Sequence, residues 1–221
     1  RSSDLNMTIQ EAIKNRHSVR SYQAREIDAA TVLTLKEEIE KCNREGDLFI
    51  QLITNDSSVF KGLVAHYGGF RGVSNYIALI GPSGHDLEEK LGYYGERIAL
   101  RAQQLGLNTC WVAVTYKKKL CRAVVKQNQQ LVCVLALGYG DTQGVPHKSK
   151  PMPQLCKVDG EMPEWFRKGM EAALLAPTAM NKQNFLIILD GETVKYEAKE
   201  GKYRNLDLGI VKYHFQAGAG L

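Results

Sequence analysis

A helix meets a strand in the stretch Leu105-Gly106-Leu107-Asn108-Thr109-Cys110-Trp111-Val112. Upstream, apolar residues recur every three or four positions from Leu87 to Leu105, which predicts the longest helix of the chain. Gly106 suits the left-handed position just after a helix, and Leu107 is placed for the hydrophobic contact that accompanies such an ending. The apolar residues that follow predict an extended segment. Backbone amides beside the Trp111 ring make this turn a candidate site for holding a flat ring.

Further helices and strands are predicted on both sides of this stretch, without regular alternation. Hydrophobic periodicity and end signals predict helices over residues 8–16, 28–46, 119–126, 163–176 and 207–215. Apolar and β-branched runs predict strands over residues 48–53, 76–80, 130–137, 185–189 and 193–198. Asp190-Gly191 predicts a hairpin between the last two strands. We therefore predict the α+β class, with a mixed or antiparallel central sheet of four to six strands flanked by helices.

Size and cysteine content limit the class of protein. A chain of 221 residues suits one domain with an elaboration. We expect a single domain over residues 7–221 with a sub-boundary near 144–159, and interpret residues 1–6 as a tag remnant or a disordered end. The five cysteines are odd in number and match no CxxC or zinc pattern, so we predict no metal site and a reducing, cytoplasmic compartment. No apolar run reaches about 18 residues, so no membrane segment is expected.

The net charge of +5 is modest, and it suits small anionic molecules such as nucleotides as well as it suits nucleic acid. Lys117-Lys118-Lys119 is the one lysine run, and it is typical of a solvated surface. Because no aromatic residues are interleaved with it, we expect no nucleic-acid partner.

Two arginines and a hydroxyl are concentrated in Arg16-His17-Ser18-Val19-Arg20. A guanidinium donates two hydrogen bonds in a planar fork that matches phosphate oxygens, and Ser18 adds a neutral donor. A T-x-x-E capping box at Thr8 puts this cluster at the C-terminal end of a short helix, where the helix dipole does not favour an anion. Two interpretations stay open: a phosphate site, or a solvated basic helix end.

A basic pair and an amide-rich loop come later in the chain. Lys148 and Lys150 alternate with Ser149 between prolines, so an extended backbone would point both ammonium groups to one side. Residues 178–184 form a polar loop before a strand. Its Asn181 and Gln183 either contact a ligand or hold the loop in place.

Four segments together resemble the FMN-dependent nitroreductase family. Residues 16–20 resemble its R-x-S-x-[RK] motif, and residues 105–112 its L-G-L-G-x-C-W segment. Residues 176–185 resemble A-P-S-x-x-N-x-Q-P-W, and residues 138–151 resemble the late segment that ends in a basic K-x-[RK] pair. The A-P-S-x-x-N motif comes unusually late here, which is similar to a branch with rearranged elements. The usual family members are intertwined dimers with flavin at the interface, and the altered order leaves open whether one chain or two build the site.

The resemblance implies a role for each matching residue. Arg16 and Ser18 are implied to bind the phosphate and the ribityl chain of FMN, and Lys148 and Lys150 to complete the phosphate site. Arg20 approaches the pyrimidine edge of the flavin near N1 and O2, and backbone amides of residues 112–114 face N5. The residues from 177 onward contact the flavin ring or the ribityl group. The full set implied to bind the cofactor is Arg16, His17, Ser18, Arg20, Val112, Ala113, Val114, Lys148, Lys150, Pro177, Thr178, Ala179, Asn181 and Gln183.

The activity implied is that of an FMN-dependent oxidoreductase. It would pass a hydride from NADH or NADPH to the flavin, and electrons on to a nitroaromatic or quinone-type acceptor, in a ping-pong cycle. Because the flavin carries the chemistry, no catalytic residue is predicted. The alternative is a flavin- or nucleotide-binding sensor or carrier without turnover; a third hypothesis is a different flavin chemistry, such as dehalogenation. The scattered histidines are expected to be structural, although a dyad of Cys110 with one of them stays open.

Overall fold

The computed structural model describes residues 7–221, so the expected tag remnant or disordered end at residues 1–6 lies outside the described residues. The α-helices are Ile9–Asn15 (α1), Ala29–Gly46 (α2), Leu63–Tyr67 (α3), Leu87–Gln104 (α4), Glu164–Ala173 (α5) and Arg204–Ala219 (α6). The strands are Gln51–Ile53 (β1), Asn75–Pro82 (β2), Asn108–Val112 (β3), Gln129–Gly138 (β4), Cys156–Val158 (β5), Phe185–Asp190 (β6) and Thr193–Ala198 (β7). No helix in residues 7–221 combines the length and apolar character needed to cross a membrane.

The strands form two sheets. The first is antiparallel in the order β1-β2-β4-β3, with Ile77 opposite Leu135 and Cys110 opposite Ala136. The second has the order β5-β6-β7; β5 runs parallel to β6, and β6 and β7 form the expected hairpin around Gly191. The α+β class is confirmed, and the strands are divided between two sheets because the hairpin packs with α5 and α6 around a core of its own.

Helices α4 and α6 cross with their backbones nearly in contact. A Cβ built on Gly92 of α4 would lie 2.0 Å from the carbonyl oxygen of Leu206, and one on Gly209 of α6 would lie 2.0 Å from that of Glu89. Glycine at both positions removes the side chains that would otherwise hold helix axes 8–10 Å apart. The crossing brings the second sheet and its helices against the first, and so positions the site described below.

The start of α1 and the end of α4 follow the sequence signals, whereas α6, expected over residues 207–215, extends further at both ends. Thr8 and Glu11 form the reciprocal capping box of α1. Gly106 adopts a φ of +80° after α4, and the amide of Leu107 donates to the carbonyl of Ala102 at 2.9 Å, which closes the helix. Asp28 takes the N-cap position of α2, but its side chain makes no capping hydrogen bond.

The helix expected over residues 119–126 is wrong. Only a single 3₁₀ turn forms, at Lys118–Leu120. Val124 instead exchanges two hydrogen bonds with the side chain of Gln51, and the amide of Arg122 donates to the hydroxyl of Tyr76. Side chains of neighbouring strands therefore satisfy these backbone groups, which in a helix would be hydrogen-bonded within the segment.

Candidate functional site

A cavity of about 420 Å³ opens where the end of β3, the loop before β6 and the start of α6 meet. The lining residues are Ser18, Arg20, Tyr67, Gly68, Phe70, Cys110, Trp111, Val112, Ala113, Val114, Thr115, Cys133, Pro177, Thr178, Ala179, Met180, Tyr203, Leu206, Asp207 and Ile210. Its volume lies in the range of small-molecule and cofactor pockets.

A second cavity of about 330 Å³ adjoins the first. The two share the walls formed by Ser18, Arg20, Pro177, Thr178 and Met180. The remaining lining residues of the second cavity are Arg16, His17, Val145, Pro146, His147 and Asn181. The larger cavity is therefore mainly apolar and aromatic, whereas the smaller one is lined by two arginines and two histidines.

The arginine motif reaches the cavities because it runs alongside β3. α1 ends at Asn15, and Arg16 already has extended backbone angles. Ser18 forms a parallel bridge with Thr109, and the amide of Val19 donates to the carbonyl of Thr109 at 3.1 Å. On the other side, the carbonyl of Arg20 accepts from the amide of Arg71 at 2.9 Å. The motif is thus an extra extended segment at the edge strand, not a helix face.

Arg16 is buried, with only 3% of its surface exposed. Its Nε lies 3.3 Å from Oε1 of Glu96, close enough for an ion pair but not aligned for a hydrogen bond. Both Nε and Nη1 are buried without a hydrogen-bond partner. A buried guanidinium with unsatisfied donors costs folding free energy, so an anion in the adjoining cavity would satisfy it.

Three of the fourteen residues expected to bind the cofactor do not line either cavity: Lys148, Lys150 and Gln183. The Gln183 side chain accepts from the amide of Lys150 at 2.7 Å and donates to the carbonyl of Lys148 at 2.9 Å. Asn181 donates to the same carbonyl at 3.0 Å. These contacts match the loop-holding interpretation of Gln183, while Asn181 both holds the loop and lines the smaller cavity. The other eleven residues are brought together at the two cavities.

Known proteins match over nearly the whole chain. A model of the family described as "Putative TM nitroreductase" matches residues 8–219. The chain belongs to this nitroreductase family. A structure described as a putative nitroreductase from Thermotoga maritima is 22% identical and has a TM-score of 0.65, covering 96% of this chain and 83% of its own. No curated protein matches.

Two further nitroreductase structures show the same fold. A putative nitroreductase from Desulfovibrio desulfuricans, solved in complex with FMN, is 17% identical with a TM-score of 0.56, covering 72% of this chain and 99% of its own. A nitroreductase family protein from Streptococcus pneumoniae is 11% identical with a TM-score of 0.53, covering 66% of this chain and 98% of its own.

Asp207 is a residue of the candidate site that sequence reasoning missed. Its carboxylate accepts from the amide of Ala179 with both oxygens, at 3.0 and 3.1 Å, and it lines the larger cavity. Burial raises the pKa of Asp207, and the hydrogen bond from Ala179 lowers it by a smaller amount, so the pKa is about 6. In the sequence, an acid in the first turn of a helix indicates only a helix start.

The loop held by Asp207 has an unusual backbone. Met180, Asn181 and Gln183 have φ values of +52°, +54° and +49°, in the left-handed region that side chains rarely adopt. Strain of this kind persists only where surrounding contacts impose it, and it is concentrated at functional sites. Here the contacts are those of Asp207, of Gln183 itself, and of Thr178, whose hydroxyl accepts from the Gln183 amide at 3.0 Å.

The rim of the larger cavity exposes apolar side chains. Tyr67, Val114 and Met180 are 86%, 63% and 87% exposed, and of these three only Val114 is in the set implied to bind the cofactor. Tyr67 belongs to the glycine-rich segment 66–72, which matches no phosphate-binding motif, and it contributes an aromatic side chain to the lining of the cavity. A planar apolar molecule would cover this rim.

The Cys110–His dyad is not supported by the structure. Cys110 lines the larger cavity, but no histidine in residues 7–221 does so. Burial raises the pKa of the Cys110 thiol, which opposes formation of a thiolate. Nor do residues 7–221 hold any group of three or more His, Cys, Asp and Glu side chains arranged for a metal ion.

Proposed function

We propose that this chain is an FMN-dependent oxidoreductase that uses NADH or NADPH to reduce a nitroaromatic or quinone-type acceptor. The observation that carries the proposal is the buried Arg16 guanidinium, whose Nε and Nη1 have no hydrogen-bond partner, at a small basic cavity next to a larger apolar one. Flavin mononucleotide combines a phosphate, which suits the basic cavity, with a flat ring, which suits the apolar one. The FMN complex of the Desulfovibrio desulfuricans protein supports the choice of cofactor.

The residues present fit this cofactor. Arg16, His17 and Ser18 would hold the phosphate, and Arg20, shared by both cavities, would place a positive charge beside the ring. The aromatic and apolar rim would exclude water from a stacked donor or acceptor. Bound FMN would supply the two-electron chemistry, taking a hydride from the nicotinamide and passing reducing equivalents to the acceptor.

Lys148 and Lys150 lie outside the lining of both cavities. The Nζ of Lys150 lies 3.5 Å from the carbonyl oxygen of Gln183. We therefore assign the main phosphate contacts to the arginine motif and a longer-range electrostatic contribution to the two lysines. The free cysteines at positions 42, 110, 121, 133 and 156 agree with the proposed reducing, cytoplasmic compartment.

The test is the visible absorption spectrum of the purified protein after FMN is added and the excess removed. Retained flavin bands that bleach anaerobically with NADH or NADPH, and recover when a quinone or nitroaromatic compound is added, are the expected result. Retained flavin that is not reduced would instead favour the binding protein without turnover. Failure to retain FMN would contradict the proposal.

A further inference from the structure

A fully buried carboxylate joins four elements beneath the smaller cavity. Glu96 of α4 is 0% exposed. Its Oε2 accepts from the indole Nε1 of Trp111 on β3 at 2.8 Å, and its Oε1 lies 2.7 Å from Nε2 of His214 on α6. The same Oε1 lies 3.3 Å from Nε of Arg16. Burial alone would raise the pKa of Glu96, but the charge of Arg16 and the hydrogen bonds from its neighbours lower it. The Arg16 guanidinium 3.3 Å from Oε1 and the indole N–H that donates to Oε2 both favour the ionised carboxylate.

The contacts of His214 determine how many protons its ring carries. Nδ1 lies 2.9 Å from the carbonyl oxygen of Ala172, which can only accept, so Nδ1 bears a hydrogen. Nε2 faces the Glu96 carboxylate, which also only accepts once ionised. Both ring nitrogens therefore donate, and a ring that donates from both nitrogens is the imidazolium cation.

We propose that His214 is a buried, positively charged positioning residue. Its charge balances the negative charge of Glu96, so that the positive charge of Arg16 is available to an anion in the smaller cavity. The inference rests on the proposed function in one respect, that the anion is the phosphate of FMN.

The charge balance gives the physical reason. With His214 neutral, Glu96 and Arg16 form a pair of zero net charge, and a buried pair attracts an anion weakly. With His214 charged, the three side chains carry one net positive charge in a region of low dielectric, where a charge acts over a longer distance than in water. The misaligned contact of Arg16 with Glu96 agrees with this balance, because the Glu96 carboxylate accepts its hydrogen bonds from His214 and Trp111.

The first test compares the affinity of the protein for FMN with that for riboflavin, which lacks the phosphate. His214→Gln keeps an N–H donor within reach of Glu96 but has no charge. We expect it to weaken FMN binding roughly tenfold and to leave riboflavin binding unchanged. His85→Gln, on an exposed loop, is the matched control and should change neither affinity.

The double variant separates a charge effect from a structural one. Glu96→Gln combined with His214→Gln removes one charge of each sign, so the net charge of the cluster is restored and FMN affinity should recover most of its loss. A purely structural role predicts that the double variant binds more weakly than either single variant. Equal loss of FMN and riboflavin affinity in His214→Gln, or no recovery in the double variant, would overturn the inference.

A second measurement needs no flavin. Nitrogen-15 NMR of the imidazole rings at pH 7 should show both nitrogens of His214 protonated, with the signal assigned by its loss in His214→Gln. In Glu96→Gln the ring should carry a hydrogen on Nδ1 alone. A neutral His214 in the unmodified protein would refute the inference even if FMN binds. Absence of both FMN and riboflavin binding would refute the proposed function, and the NMR spectrum would still decide the charge of His214.

Discussion

At Arg16, burial and charge are in conflict. The side chain is 3% exposed and leaves two nitrogens without hydrogen bonds, although a guanidinium is always charged. The sequence allowed a solvated basic helix end, and burial excludes that interpretation for Arg16. A residue kept in so costly a state indicates a binding role more strongly than the motif does.

Arg16→Ala tests the site assignment. We expect the dissociation constant for FMN to rise roughly 10- to 100-fold, since a charge-assisted hydrogen bond contributes about 1.5–3 kcal/mol. Quenching of flavin fluorescence measures this. Arg25→Ala is the control, because Arg25 is exposed and stacks on Tyr139 away from both cavities. Unchanged FMN affinity in Arg16→Ala would show that the phosphate does not bind there.

Asp207 should make stability depend on pH in a defined direction. Its pKa in the folded protein is raised to about 6 from 3.8, so the folded state binds the proton more tightly than the unfolded state. The contribution of Asp207 to the free energy of unfolding is therefore fully present below pH 4 and is lost as pH rises through 6. The asparagine of the Asp207→Asn variant keeps an oxygen that can accept from the amide of Ala179, but it has no group that ionises.

Urea denaturation of both proteins at several pH values checks this. The Asp207→Asn protein should be the more stable of the two at pH 8, and the difference should shrink as pH falls from 7 toward 4. A difference that does not change with pH would contradict the raised pKa. The comparison isolates Asp207, because all other titratable groups are common to both proteins.

At the scale of elements, the crossing of α4 and α6 is the most restrictive contact. Gly92 and Gly209 each face a carbonyl oxygen of the other helix with no room for a Cβ. The sequence predicted both helices from apolar periodicity, but no periodicity shows which glycine lies at a crossing. That information depends on how the two helices pack.

Gly92→Ala should destabilise the protein by about 1–3 kcal/mol, because the added methyl group must displace the backbone of Leu206. Chemical denaturation measures this change. Gly84→Ala is the matched control, because Gly84 lies in the loop before α4, where a Cβ would lie 3.3 Å from the Asp86 side chain and 4.0 Å from the carbonyl oxygen of Pro82. We expect a change of about 0.5 kcal/mol or less there. Equal effects of the two substitutions would argue against the close crossing.

At the scale of the whole molecule, the larger cavity lies where the end of β3 in the first sheet meets the loop before β6 and the start of α6. If these residues are sufficient to hold the cofactor, one FMN should bind per chain, and flavin retention should not depend on protein concentration. Light scattering and flavin fluorescence over a dilution series measure both quantities. If the chain forms a homodimer, flavin should stay bound when the dimer dissociates. Release of flavin in step with dissociation would mean that a second chain completes the site.

The sequence by itself determined the α+β class, the ends of α1, α2 and α4 to within one residue, and eleven of the residues that line the two cavities. These depend on local periodicity, on capping residues such as Thr8 and Gly106, and on short motifs, all of which are visible within a few neighbouring positions. Tertiary structure decided that the strands form two sheets and that residues 121–126 are not helical. It also decided that Gln183 holds a loop, and that Arg16, Glu96 and His214 meet in one buried cluster. These depend on contacts between residues up to 118 positions apart, where burial, charge and packing act together and no local pattern reports them.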